Sequence, residues 1–170
     1  MRTSTRGIFA TIALGVAIIF VFSATTAQQK SVRISQSASV SQTIGLTDVT
    51  VAYHRPGVKG REIWGKLLPY DQVWRAGANE ATTVSFSDDV TIAGKQFRAG
   101  TYSFFVTPRH GEWTLIFNSQ PKQWGAFSYD STKDVMKISV KPEPAAHEEW
   151  LSYNFSELTS ISTKLSLRWE

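Results

Sequence analysis

Arg75, Asn79 and Glu80 place a planar cationic fork, an amide and a carboxylate close together in the stretch Val73-Trp74-Arg75-Ala76-Gly77-Ala78-Asn79-Glu80. Arginine offers paired donors that match a carboxylate or phosphate, whereas an amide and a carboxylate read hydroxyl groups. The trio therefore suits a small anionic or sugar-like ligand. His54, Arg55 and Arg61 flank the other end of the same irregular stretch and can approach it. Trp64, Trp74 and Trp124 lie in or beside irregular segments, where an indole stacks on a sugar or a guanidinium, or simply packs into a core. On this reading Arg75 anchors negative charge, Asn79 and Glu80 fix orientation, and Trp74 and Trp124 wall the pocket. The segment Gln123-Trp124-Gly125-Ala126-Phe127 supplies the second wall. The competing use of the same side chains is internal. Arg75 pairing with Glu80, or either group capping loop backbone, would fix a long crossing with no ligand. Gly77 answers a backbone need, either positive φ or a close approach.

Other chemistries find less support. The three histidines, His54, His110 and His147, are far apart and form no H-x-H or H-E-x-x-H pattern, so no metal site is expected. A composite of His54, Glu80 and one more acid is the remaining metal option. Asp130 to Asp134 carries Lys133 inside it and reads as a solvated turn rather than a calcium loop. No G-x-S-x-G elbow occurs. Paired carboxylates from Glu80 with Asp71 or Glu62 would be needed for glycosidase chemistry. No cofactor motif is present.

The elements that must position these groups are strands. From Ser31 onward apolar residues alternate with period two in short, evenly spaced runs. Val49, Val51 and Tyr53 share one face, as do Tyr102, Phe104 and Val106, and Trp113, Leu115 and Phe117. Further runs cover 82–87, 90–97, 134–141, 149–157 and 163–169, and 31–43 fits an early strand or a pair of short ones. Asp88-Asp89, Ala93-Gly94-Lys95, Arg98-Ala99-Gly100 and Arg109-His110-Gly111 fall between runs with tight-turn chemistry. Eight or nine antiparallel strands at this spacing predict an all-β sandwich or jelly roll, with an up-and-down barrel as the alternative. The span from Arg55 to Ala81 is too long for a hairpin, and its Ile63, Trp64, Leu67, Leu68, Val73 and Trp74 must be covered, so it is expected to be ordered. Trp64, Leu67 and Leu68 have the spacing of one or two helical turns.

Length and composition frame this picture. A chain of 170 residues, 42% hydrophobic and 19% charged, is one domain's worth of sequence and too apolar for disorder. Residues 1–27 have the build of a secretory signal peptide. Arg2 and Arg6 precede an uncharged stretch from Gly7 to Phe22, and then comes the small-residue run Ser23-Ala24-Thr25-Thr26-Ala27. Cleavage after Ala27 leaves a single domain over 28–170 beginning at Gln28. A retained anchor over Gly7 to Ala27 is the alternative. Cysteine is absent, which excludes disulfides, thiolate chemistry and a cysteine-linked lipid. A periplasmic or secreted protein is expected, free of the membrane once its leader is removed. The weak net charge argues against nucleic acid.

Tyr53-His54-Arg55-Pro56-Gly57-Val58-Lys59-Gly60-Arg61, then Val73 to Thr82, Ala99-Gly100-Thr101-Tyr102 and Gln123-Trp124-Gly125-Ala126 resemble the bacterial domain of unknown function 2911 family. The resemblance spans roughly residues 39–169, and it implies an exported β-rich domain without established activity, cofactor or catalytic residues. His54 departs from the small polar residue expected there. Three functions follow as expectations. The first is a noncatalytic binding module for a small anionic or hydroxylated ligand or a cell-envelope component. The second is a hydrolase using Glu80 as general base with His54 or Arg75 stabilising charge. The third is a scaffold that contacts other proteins through sheet edges.

Overall fold

The computed structural model describes residues 31–170, and the expected leader over 1–27 lies outside the described residues. The strands fall within the unit Arg33–Glu170. They are β1 (Gln36–Ile44), β2 (Thr47–Arg55), β3 (Thr82–Phe86), β4 (Val90–Ile92), β5 (Lys95–Phe97), β6 (Gly100–Thr107), β7 (Trp113–Asn118), β8 (Asp134–Val140), β9 (Ser152–Ser156) and β10 (Lys164–Arg168). A single 3-10 turn, Ser131–Lys133, precedes β8. Six strands form one antiparallel sheet in the order β1-β2-β3-β6-β7-β8, while β4 with β5 and β9 with β10 form separate two-stranded ribbons. The sheet ends at β1 and β8 and does not close, so the architecture is sandwich-like and the barrel is excluded. The strand count exceeds the expected eight or nine partly because Ala93-Gly94, both at positive φ, fold the 90–97 run into the β4–β5 hairpin.

Period-two alternation gives the sheet one dry face. In register, Tyr53 sits opposite Ala38, Val51 opposite both Val40 and Val84, and Phe104 opposite Phe117. These side chains join the main core with Val49, Val106, Ile63, Trp74, Leu151, Tyr153 and Trp169. The covering layer is therefore a composite of the long crossing between β2 and β3 and the β4–β5 and β9–β10 ribbons. Ile63 and Leu151 have no exposed surface. Full burial of such a side chain contributes about 1.5–3 kcal/mol, which is what holds the covering layer down.

The crossing is built as a wall. Trp74 and Val106 exchange both backbone hydrogen bonds at 2.8 Å, so the crossing takes the place beside β6 that β3 leaves vacant. Val58 N–H donates to Glu149 O at 2.8 Å, and Leu151 N–H donates to Pro56 O at 3.0 Å. The amides of Leu67 and Leu68 reach back five residues to the carbonyls of Glu62 and Ile63, so this stretch closes as one wide turn and not as the helical turn its spacing predicts. Gly77 serves a close approach: a Cβ there would lie 2.8 Å from Thr82 Oγ1 and 3.2 Å from His54 O. Its φ is not in the positive region, which leaves proximity as the reason for glycine.

The opposite face of the sheet is dominated by small hydroxyls. Ser37, Ser39 and Ser41 of β1, Thr50, Ala52 and His54 of β2, and Thr83 and Ser85 of β3 alternate with the core residues. Ser41 and Thr50 hydroxyls pair at 2.8 Å, and those of Ser85 and Thr101 at 2.9 Å. A second, smaller apolar cluster of Ala81, Phe105 and Ile116, backed by Val73, Ala126 and Tyr129, is centred on this side.

Candidate functional site

Beside that smaller cluster the hydroxyl-rich face holds an open hollow of about 500 Å³. Ser37, Ala52, His54 and Thr83 come from neighbouring strands, and Ala52 is the small residue that leaves room between Ser39 and Thr83. Glu80 and the segment 121–124, including Gln123 and Trp124, rise around it. Backbone bonds tie these walls together. Glu80 and Trp124 form an antiparallel bridge, Gly125 N–H donates to Asn79 O at 3.0 Å, and Ala81 N–H donates to Gln123 O at 3.0 Å. Asn79 adopts φ 57°, a left-handed conformation that asparagine tolerates better than most residues, and this turns the chain toward Trp124.

Charge concentrates at one corner. Nη1 of Arg33, from the segment leading into β1, lies 2.7 Å and 2.5 Å from the two carboxylate oxygens of Glu80. The same nitrogen is 3.4 Å from His54 Nε2, which is itself 3.4 Å from Glu80 Oε2. The Arg33 guanidinium carbon stands 5.4 Å from the centre of the Trp124 ring. The Arg33 hydrogen bond holds the Glu80 carboxyl below its ordinary range, against a smaller opposing effect of burial. Loss of hydration lowers the His54 imidazole; Glu80 pulls it up, and Arg33 and Arg75 push it down. The corner thus combines an ionised carboxylate with a neutral-leaning imidazole and an exposed indole.

The residues singled out in the sequence separate into distinct roles. Glu80, His54 and Trp124 meet at the hollow. Asn79 stands behind that corner, donating from Nδ2 to Ser35 O at 3.0 Å and so fastening the Arg33 segment. Arg75 does not line the hollow. Its Nη1 is 3.9 Å from where a Cβ on Gly125 would stand, and it is close enough to His54 to affect its protonation. Among the described residues Arg75 Nε has no hydrogen-bond partner although it is buried, and desolvation lowers the pKa of the guanidinium. Arg75 and Glu80 do not pair: Arg33 takes Glu80 instead.

Trp74 points into the core, stacks on Trp169 at 5.8 Å and donates Nε1–H to Gly77 O at 3.0 Å, so it is no pocket wall. Arg55 donates to Leu151 O and Trp150 O, and Arg61 to Val58 O and Gly57 O, so both serve backbone carbonyls of the covering layer. Arg33, Ser37 and Thr83 were missed. The two hydroxyls are readable once His54 is placed on the polar face, but nothing local to Arg33 marks it. Among the described residues no three His, Asp or Glu side chains gather in a way that would hold a metal ion.

A family model described as "Protein of unknown function (DUF2911)" matches residues 35–170, a span that includes every residue of the hollow and excludes Arg33. No curated protein matches the chain, and no solved structure does. With four fifths of its length matched, the sheet and the walls of the hollow included, the chain belongs to the DUF2911 family of proteins of unknown function.

Proposed function

We propose that this chain is a noncatalytic binding module of an exported protein and that the hollow takes a small hydroxylated ligand, free or displayed by a cell-envelope component. The observation that carries the reading is the composition of its rim. Trp124 is 55% exposed beside the Glu80 carboxylate, and the hydroxyl residues Ser37 and Thr83 line the same hollow. An indole face with adjacent acceptors and hydroxyls suits a ring that is apolar on its face and polar at its edge. Glu80, with its carboxyl held below the usual range and its oxygens bonded to Arg33, is better suited to accept hydrogen bonds than to abstract a proton, which supports binding over hydrolysis. Calorimetry against a panel of neutral sugars and polyols tests the proposal. A binder whose affinity falls at least tenfold in Trp124→Ala supports it, and a panel without binders overturns it.

A second reading, an anionic ligand, is favoured by Arg75, a half-buried cation whose Nε has no acceptor among the described residues. Organic acids and phosphates belong in the same panel. For these, loss of binding in Arg75→Met with retention in Trp124→Ala assigns the anchor to Arg75. Export is tested by the mass of the mature chain, which should begin at Gln28.

A further inference from the structure

The corner made by Glu80, Trp124 and His54 already grips a group, and that group is a guanidinium. Arg33 bonds both oxygens of Glu80 through one nitrogen while its guanidinium carbon stays 5.4 Å from the Trp124 ring centre. A carboxylate beside an aromatic ring is the arrangement that recognises a weakly hydrated planar cation, because the ring's negative face and the carboxylate attract the same charge. We infer that this corner is a subsite for a guanidinium or amine cation, that Arg33 fills it in cis, and that an external ligand bearing such a group enters by displacing Arg33.

Three features make displacement feasible. The Arg33 and Glu80 side chains are each 43% exposed, and exposed ion pairs are individually weak. Arg33 belongs to no strand, and apart from its own contacts with Glu80 and His54 the bond from Asn79 to Ser35 O is what fastens its segment to the corner's loop among the described residues. The hollow continues past the corner over Ser37, Ala52 and Thr83, so a ligand seated by its cation has a largely apolar surface with two hydroxyls for the rest of its body. Arg33 lies two residues outside the span that the family model matches, whereas the corner lies inside it. The inference rests on the hollow being a binding site and adds the charge of what binds there.

The test uses Nα-acetyl-arginine amide and its neutral urea counterpart, Nα-acetyl-citrulline amide, as calorimetric probes on the wild type, Arg33→Ala and Arg33→Gln. Removing a weak internal competitor raises apparent affinity by the reciprocal of the open fraction, here about fivefold. The arginine probe should bind both Arg33 variants about fivefold more tightly than the wild type and at least about tenfold more tightly than the citrulline probe, as expected for a charge-assisted contact. Adding Glu80→Gln to Arg33→Ala should erase the preference for charge. Equal binding of the two probes, or an Arg33→Ala protein that takes the arginine probe no better than the wild type, overturns the inference. The outcomes separate it from the broader reading. Neutral sugars that bind while the arginine probe fails leave the hollow as a hydroxyl site and remove the cation corner. The arginine probe binding through Glu80 with no sugar bound upholds the corner and removes the hydroxyl reading.

Discussion

Replacing Arg75 by methionine should make the protein more stable. The Arg75 guanidinium has no ion-pair partner among the described residues, and its Nε is shut away from solvent without an acceptor. A buried donor left unsatisfied costs about 1–3 kcal/mol. The low end applies because the side chain as a whole is only partly buried, so relief of about 1 kcal/mol is expected. Methionine keeps an unbranched apolar stem of similar reach and removes every donor, and trading buried charge for apolar volume is often neutral or stabilising. For a domain of this size the gain corresponds to a rise in Tm of about 4 °C. Urea denaturation should show a higher midpoint with an unchanged m-value, since the area exposed on unfolding hardly alters. If Arg75→Met instead lowers stability by 1 kcal/mol or more, the guanidinium is a bonded strut in the native state and its supposed vacancy for an anion is wrong.

Ile63→Ala should cost about 2–5 kcal/mol in denaturant unfolding, because Ile63 is fully buried in the core while belonging to a segment without a strand, and a cost below 1 kcal/mol would mean that the crossing is not packed down. Gly77→Ala should destabilise by about 1–3 kcal/mol, since its methyl would stand 2.8 Å from Thr82 Oγ1 and 3.2 Å from a backbone oxygen that has little freedom to retreat. A neutral result in thermal melts would remove the close-approach account of that glycine. The pH dependence of stability has a definite sign. Burial lowers the folded His54 pKa beneath its ordinary 6.5, so the unfolded chain binds more protons and stability falls as pH drops from about 7 through the folded value. Glu80, held below 4.5 chiefly by Arg33, extends the loss into stronger acid. His54→Gln should flatten the upper part of this profile and leave the acidic part, and an unaltered slope would exclude His54 as its source.

The strands were legible because one face of the sheet is dry. Val49, Val51 and Tyr53 stand out as core because their alternate neighbours are Thr50, Ala52 and His54, whereas Trp113, Leu115 and Phe117 alternate with Thr114 and with Ile116, which is buried in the smaller cluster on the other side. The same rule speaks to the candidate site. Trp74 and Arg75 are adjacent in extended chain bridged to Val106, so their side chains leave on opposite sides and cannot wall one pocket. Residue chemistry alone had grouped them. Arg55 and Arg61 show a second limit. A guanidinium satisfied by nearby carbonyls has the same sequence signature as one awaiting a ligand, and only the positions of Leu151 O and Gly57 O separate the two. The Arg33–Glu80 contact joins residues 47 positions apart, with no periodicity or motif linking them. The departure of β4–β5 from the main sheet was hidden for a related reason. Alternation gives each strand a face but does not say which partner it pairs with.

The six tryptophans divide into populations with different optical behaviour. Trp64 lies 4.6 Å from Trp113, 5.9 Å from Trp74 and 6.0 Å from Trp169, centre to centre, so these four indoles form one coupled chromophore group at the heart of the covered face. Trp124 stands apart at the rim, with Trp150 the other solvent-facing ring. The protein therefore carries two intrinsic emission channels. A blue-shifted group reports whether the covering layer is in place, and the iodide-quenchable emission, once Trp150 is replaced by phenylalanine, reports what has settled beside Glu80.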